Sequence, residues 1–179
     1  MISSGTRVLL SWIFATFICA FLLIPALSFS EELKVNRLFR IERSMNANIV
    51  CYDARLTPEG KLDPEKPIIA YWIMHANNNE KEDLKWIEKK LGFGFKVKYD
   101  IECDLWVMDL VADIRRKVKV YKVNGKYLAE TLIDSQPAFV EKLYIKFIEG
   151  GIHPKVEYME FFGKCIKTGE NLYEKFIPV

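Results

Sequence analysis

The chain has 179 residues, and its 26 basic and 24 acidic side chains leave a formal net charge of +2 at pH 7. A nearly neutral, well-mixed surface lacks the electrostatic footprint of a nucleic-acid-binding protein, so we expect no nucleic acid among its partners. The four cysteines include no Cys-x-x-Cys pair, which leaves a thioredoxin-type redox role without support.

The first thirty residues differ in composition from the rest. Arg7 precedes an apolar run that contains Pro25 and gives way to small residues before Ser30. This pattern is typical of an export signal cleaved after Ser30. The alternative is an uncleaved inner-membrane anchor at residues 8–27, because about 20 apolar residues can span a bilayer. We expect a periplasmic or secreted protein whose mature chain, residues 31–179, is one β-rich domain without a membrane span.

Three cysteines remain after this cleavage, Cys51, Cys103 and Cys165. In an oxidising compartment they can form one disulfide, and one thiol is then left over. The alternative is that all three are free thiols packed as small hydrophobic side chains in the core. The sequence leaves both open.

The residue pattern over most of the mature chain predicts β-strands joined by turns. The Asn124-Gly125 dipeptide between two alternating segments indicates a two-residue hairpin, because both residues tolerate positive φ. A final hairpin is predicted around Gly169. The predicted strands span residues 38–43, 47–54, 67–76, 93–101, 105–112, 117–123, 126–132, 139–148 and 156–163.

One helix is predicted between the third and fourth of these strands. Asn79 is a candidate N-cap, and Glu82 completes a capping-box pattern. An apolar stripe of helical spacing follows at Leu84, Ile87 and Leu91. Short strands at regular spacing with one such helix predict a mainly β fold, either an antiparallel β-sandwich or an open barrel of about nine strands with one covering α-helix.

Patterns typical of catalytic or metal sites are absent from the sequence. The histidines, His75 and His153, show no metal-ligand spacing. The acidic segment that begins at Asp100 resembles a calcium loop only at its start, because Leu105 stands where such a loop needs Gly. No serine lies in a nucleophile elbow. We therefore predict no catalytic, cofactor-binding or metal-binding residues and no cofactor, and we lean against an enzyme.

Three arginines lie close together near the start of the first predicted strand. Side-chain alternation places Arg37 and Arg43 on one face of the strand and Arg40, beside Glu42, on the other. A single cationic site made of all three arginines is therefore not expected.

The polar joint between the first two predicted strands, residues 44–48, supplies two of the candidate binding residues, and the others lie in the first and third predicted strands. Arg37 or Arg43, together with Asn46 and Asn48, can hold a carboxylate at the strand ends, whereas the alternative is ordinary surface and interface ion pairing. The candidate ligand- or partner-binding residues are Arg40, Arg43, Asn46, Asn48 and His75.

The aromatic residues are numerous enough to fill the core of a small β domain, and the alternative is an apolar ligand pocket that they line. Adjacent Phe161 and Phe162 in one strand must point to opposite faces. We expect one of the two outside the core or under a loop.

Four segments together resemble a family, the uncharacterised exported bacterial family catalogued as domain of unknown function 4833. They are "LFRIERSMNANIVCYDAR", "LDPEKPIIAYWI", "GKYLAETLI" and "VEYMEFFGK". The resemblance covers about residues 35–178 and implies a signal-bearing envelope or secreted protein of one domain. It implies no activity, ligand or site residue.

The function that we predict is a non-catalytic binding or protein-interaction module, which needs an exposed apolar patch or an unprotected edge strand. One alternative is a carrier of a small apolar ligand, with an interior pocket of at least about 300 Å³. The other is a hydrolase-type enzyme in which Arg40, Asn46, Asn48 and His75 meet in one polar cleft.

Overall fold

The computed structural model describes residues 35–113, 115–148 and 155–178. The predicted export signal and His153 lie outside the described residues.

Strands dominate the described residues, which confirms the prediction of a mainly β fold. Nine strands follow one another in the order β4-β3-β2-β1-β9-β8-β7-β6-β5 and curl into a half-barrel, and β10 and β11 extend the sheet from the other edge of β9. The strands are β1 (Val35–Arg43), β2 (Asn46–Arg55), β3 (Ile68–Met74), β4 (Glu80–Asp83), β5 (Phe95–Asp100), β6 (Leu105–Leu110), β7 (Lys117–Val123), β8 (Lys126–Ile133), β9 (Gln136–Ile148), β10 (Lys155–Cys165) and β11 (Asn171–Phe176).

The sheet branches at β9. Residues 136–139 of β9 pair with β8, residues 142–145 pair with β1 in parallel, and β10 follows the opposite edge along most of the strand. The β1–β9 pair makes the sheet mixed, whereas the sequence predicted antiparallel pairing throughout. At Gly163 of β10, an added Cβ would collide with the carbonyl oxygen of Phe139 and with Ile133. Glycine therefore allows the close approach of the two strands at this point.

A bulge in β1 corrects the predicted placement of the arginines. Arg37 pairs with Asp53 but Phe39 pairs with Tyr52, so Leu38 is the extra residue of the bulge. Beyond a one-residue bulge, the alternation of side chains is reversed. Arg37 therefore shares a face with Arg40, and not with Arg43 as simple alternation predicted.

The predicted helix is shorter than expected and begins later. The residues after Asn79 form β4, which pairs with β3. The helix α1 contains only Trp86–Glu88 and continues as a π-helical turn over Lys89–Phe93. Glu88 caps it, because its carboxylate accepts a hydrogen bond of 2.7 Å from the backbone N–H of Lys85. The expected capping by Asn79 and Glu82 was wrong, since strand pairing overrides local helix preference there.

The core fills the concave side of the half-barrel. Phe39 of β1 stacks on Tyr52 of β2 with ring centroids 4.5 Å apart, and the Tyr52 hydroxyl donates a hydrogen bond of 2.7 Å to the carbonyl of Phe93. Phe161 is 1% exposed while Phe162 is only half-buried, so the predicted split between the two faces is confirmed. Cys51, Cys103 and Cys165 are free thiols, and Cys103 is exposed, unlike the other two.

Candidate functional site

A groove with a volume of about 940 Å³ lies between the first half of β3 and the beginning of β5. These two strands stand near opposite ends of the strand order, so the groove occupies the opening of the half-barrel. Its apolar lining residues are Ile68, Ile69, Ala70, Tyr71, Leu84, Phe93, Phe95 and Val111.

The β3 side of the groove is an unpaired strand edge among the described residues. β4 pairs with residues 71–74 of β3 and then leaves the sheet at α1. On the β2 side, the backbone N–H of Arg55 donates to the carbonyl of Pro67. Because successive residues of a strand direct their backbone groups to opposite edges, Ile68 and Ala70 point theirs away from β2 and toward the groove.

The β5 side of the groove is a second unpaired edge. β5 is the last strand in the order, and among the described strands it pairs with β6 only. The N–H of Val111 donates to the carbonyl of Gly94 on the β6 side. The same alternation turns the backbone groups of Phe95 and Val97 to the free edge. Two strand edges with unsatisfied backbone groups thus border one groove.

The rim of the groove is mainly basic. Five basic and two acidic side chains line it, and they are Arg55, Lys66, Lys81, Lys89, Lys96, Glu82 and Asp83. Arg55 is paired with Asp63 at 3.3 Å. No described carboxylate forms an ion pair with Lys66, Lys89 or Lys96. An acidic ligand would therefore meet lysines that no other described group neutralises.

A buried polar cluster fixes one wall of the groove. The Tyr71 hydroxyl donates a hydrogen bond of 2.6 Å to Asp53, which also accepts from Arg37, and Asp53 itself is 1% exposed. Burial and the bond to Asp53 raise the pKa of Tyr71 to about 12. Burial opposes the charge of Arg37, but the hydrogen bond and the charge of Asp53 outweigh it and raise the pKa of the guanidinium.

Four of the five candidate binding residues lie together at the end of β1, β2 and β3. The Asn46 side-chain oxygen accepts hydrogen bonds from Arg43 at 3.3 Å and from the N–H of Asn48 at 3.1 Å. The Asn48 side chain accepts from the N–H of His75, whose ring contacts Asn79 at 2.6 Å. These side chains hold the turns between the strands.

Arg43 and Arg40 leave this joint in opposite directions. Arg43 lies over the Trp72 ring at 4.3 Å, and burial lowers its pKa. Arg40 is on the outer face, where it donates a hydrogen bond of 2.8 Å to Glu42, which also pairs with Lys142 at 3.4 Å. None of the five candidate residues lines the groove, and their predicted role in binding stays a prediction.

Sequence reasoning missed the groove because it depends on two distant strand edges. The only local signal is the segment "FKVKY" of β5, where exposed lysines alternate with half-buried apolar residues as in an edge strand. Within the described ranges, no three His, Cys, Asp or Glu side chains gather in a way that could hold a metal ion. The described helices include none with the length and apolar character needed to cross a bilayer.

Comparison with known proteins places most of the chain in one family. The family model described as Domain of unknown function (DUF4833) matches residues 39–175. No curated protein and no solved structure matches the chain.

Proposed function

This chain belongs to the DUF4833 family, and we propose that it is a non-catalytic binding module that acts outside the cytoplasm. Its ligand in this proposal is an extended, acidic segment of a partner protein, bound in the groove between β3 and β5. The observation that carries the proposal is the pair of unpaired strand edges on one basic groove. An unprotected edge strand is also what the sequence hypothesis of an interaction module required.

The backbone of the groove supports an extended ligand. Ile68 and Ala70 on one side and Phe95 on the other present N–H and C=O groups to it. An extended peptide pairs with such an edge by β-augmentation, in which main-chain hydrogen bonds supply affinity and alternate side chains supply specificity. The apolar residues of the groove can accommodate one set of the peptide's side chains.

The charge of the rim supports an acidic ligand. Lys66, Lys89 and Lys96 are exposed on this rim. Complementary charge at a rim speeds association and excludes partners of the same sign. The basic rim also favours this proposal over a carrier of a purely apolar molecule, because a neutral ligand would leave the lysines unused.

Export is supported by the composition of the first thirty residues, which have a single charge, at Arg7, and a long apolar run. Expression with a reporter fused after residue 60 tests this part. We expect the reporter outside the cytoplasm and a mature N-terminus at Glu31. A reporter that stays in the cytoplasm would contradict export.

The binding site is tested by selecting a phage-displayed library of random peptides on the purified protein. We expect enriched peptides in which acidic and apolar residues alternate. Lys96→Glu should weaken their binding roughly tenfold, or about 1.4 kcal/mol. Lys98→Glu is the matched control, because Lys98 is an exposed lysine of the same strand outside the groove. Equal effects of both variants, or no enrichment, would refute this site.

Backbone pairing is tested with the best selected peptide. N-methylation at alternate residues removes the N–H groups that face one strand edge. A peptide that pairs with one of the two edges should lose binding when one alternate set is methylated and tolerate methylation of the other set, whereas a peptide that pairs with both edges should lose binding with either set. If the peptide still binds after methylation of either set, its binding rests on the charge contacts, and strand addition is excluded.

A further inference from the structure

The direction of a ligand strand in the groove follows from the strand order. Between β3 and β5 this order contains one parallel pair, β1 with β9, and six antiparallel pairs. Six reversals cancel, so β3 and β5, which supply the two edges of the groove, run in the same direction. A strand placed between them can therefore be antiparallel to both, which is the more stable and more frequent pairing.

The position of β4 indicates the same direction for the ligand. β4 is antiparallel to β3 and ends at Asp83, which lies opposite Tyr71. The free part of this edge, with the backbone groups of Ala70 and Ile68, begins beyond that end. A ligand strand antiparallel to β3 therefore continues the line of β4 and has its C-terminal end toward Ile68.

The backbone edge that β3 offers to a ligand ends at Ile68. Pro67 before it has no N–H, and its carbonyl accepts a hydrogen bond of 2.9 Å from the N–H of Arg55. The N–H of Lys66 donates to the Asp63 carboxylate at 3.2 Å. An antiparallel ligand therefore finds no backbone N–H donor in the two residues that precede Ile68, and a longer chain has to leave the edge there.

The two ends of the groove differ in charge. The end at β4, where the ligand enters, is lined by Lys81, Glu82 and Asp83, which together carry a net negative charge. Lys66 lines the other end, where β3 begins, and its side chain is exposed. Arg55 at this end is already in an ion pair, whereas Lys66 has no described carboxylate as a partner. An ammonium group that is free to bind an anion thus lies where an antiparallel ligand ends.

We propose that the groove binds the C-terminal end of its partner, antiparallel to β3 and β5, with the terminal carboxylate beside Lys66. This inference rests on the proposed function, because it specifies which part of an extended ligand the groove takes. The last residue of the ligand lies opposite Ile68, and its carboxylate accepts a hydrogen bond from the Ile68 N–H and pairs with the Lys66 ammonium group. A chain that ends there needs no further partner on the edge.

The test uses the best peptide from the library selection, shortened one residue at a time from its C-terminus. Each length is synthesised as the free acid and as the amide and titrated calorimetrically. We expect one length at which the acid binds about fivefold more tightly than the amide, the upper end of what an exposed ion pair contributes. If no peptide binds, the proposed function itself fails. If acid and amide bind equally at every length, the groove binds peptides but the C-terminal inference is refuted.

Three variants assign the carboxylate to its partner. Lys66→Gln should remove most of the preference for the acid, because it weakens binding of the acid and leaves binding of the amide unchanged. Lys96→Gln, on the β5 side of the groove, should weaken acid and amide by the same factor. Lys61→Gln should change neither, because Lys61 is an exposed lysine of the same loop as Lys66 outside the groove. A preference that Lys66→Gln leaves intact, or that Lys96→Gln reduces as much, would overturn the proposal.

The direction of the ligand is tested by photo-crosslinking. A benzophenone residue is placed at one end or the other of the best-bound free acid, and the crosslinked residues are identified by mass spectrometry. We expect the label at the C-terminal end to react with the loop of residues 56–67 and the label at the N-terminal end to react with residues 80–88. The reverse pattern would show a ligand parallel to β3 and refute the proposal.

Discussion

Asp53 is a buried carboxylate whose oxygens are paired with side chains of the two neighbouring strands. It accepts hydrogen bonds from Arg37 of β1 and Tyr71 of β3, and so it ties the three strands β1, β2 and β3 on their outer face. A carboxylate at 1% exposure is tolerated only when its oxygens are satisfied in this way. The cluster also holds the Tyr71 side of the groove in place.

Replacement of this carboxylate is expected to lower the free energy of unfolding. Asp53→Asn keeps the volume but loses the charge-assisted bond with Arg37, so we expect the free energy of unfolding to fall by about 2 kcal/mol. Urea denaturation followed by fluorescence measures it. The control is Asp104→Asn, which also removes a carboxylate that accepts from a tyrosine, but at an exposed turn. A loss as large in the control would show that burial is not the cause.

Whether a residue's position can be predicted from the sequence depends on the regularity of its strand. Phe161 and Phe162 were assigned to opposite faces correctly, because β10 alternates there. Arg37 was assigned to the wrong face, because the bulge at Leu38 is visible only in the pairing with β2. Neither the composition nor the spacing of residues 37–43 indicates that extra residue.

At the scale of elements, the turn before β7 is linked to β11 by one ion pair. Both terminal nitrogens of Arg116 donate to the carboxylate of Glu174, which also accepts from the N–H of Asp134 at 2.8 Å. Arg116 lies over the Phe161 ring at 3.9 Å. Burial opposes ionisation of Glu174, but these donors outweigh it and lower the pKa of the carboxyl below its ordinary value of 4.5.

This lowered pKa predicts a dependence of stability on pH. The unfolded chain binds a proton at Glu174 more readily than the folded chain, so the ion pair stabilises the fold above the ordinary pKa, and this contribution is lost as the pH falls through the folded value. The unfolding free energy of Glu174→Gln should therefore decrease less than that of the wild type between about pH 6 and pH 3.

The control for this measurement is Glu141→Gln. Glu141 pairs with Lys164 at 3.3 Å on the surface, and both side chains are about half exposed. Exposed pairs contribute little to stability, so this variant should follow the wild-type curve. Parallel curves for wild type and Glu174→Gln would contradict the assigned role of Glu174.

Elements set by local turn chemistry were predictable, and elements set by pairing were not. Asn124 and Gly125 have φ of 49° and 82° and join β7 and β8 as the dipeptide indicated. The segment after Asn79 carries a helix-start pattern, yet residues 80–83 pair with β3 as β4. The predicted apolar stripe begins only after β4, and its Ile87, which lies in α1, is 39% exposed. The helix that does form is capped by Glu88, which also accepts from the Trp72 indole at 3.1 Å, a tertiary contact without a sequence signal.

On the scale of the whole molecule, local stability should decrease from the branch point of the sheet toward its ends. β9 has 13 residues and pairs with three strands, whereas all four residues of β4 are exposed and pair with one strand. Regions with few buried contacts open most readily.

Hydrogen exchange followed by mass spectrometry measures this gradient. We expect the amides of β4 and of the free edge of β5 to exchange first and those of β9 and its partner β1 to exchange last. The hairpin of β7 and β8 serves as an internal reference of intermediate protection. Protection of β4 equal to that of β9 would show that the sheet opens as one cooperative unit instead.

The mainly β class could be predicted from strand spacing, but the strand order could not. Short antiparallel neighbours such as β7 and β8 are joined by a turn that the sequence displays. The pairing of β1 with β9 joins Arg40 to Lys142 without any local signal. The groove could not be predicted for the same reason, because its two strand edges come together only when the whole sheet curls.

The parallel pair of β1 and β9 also sets the order in which the chain can fold. Hairpins such as β1–β2 and β7–β8 close loops of a few residues, whereas the contact of Arg40 with Lys142 closes a loop of roughly a hundred residues. Loops of that length form late and slow folding. During synthesis, β1 leaves the ribosome long before β9, and its edge stays unpaired in the interval. A chain held unfolded until β9 has been made would avoid that exposure.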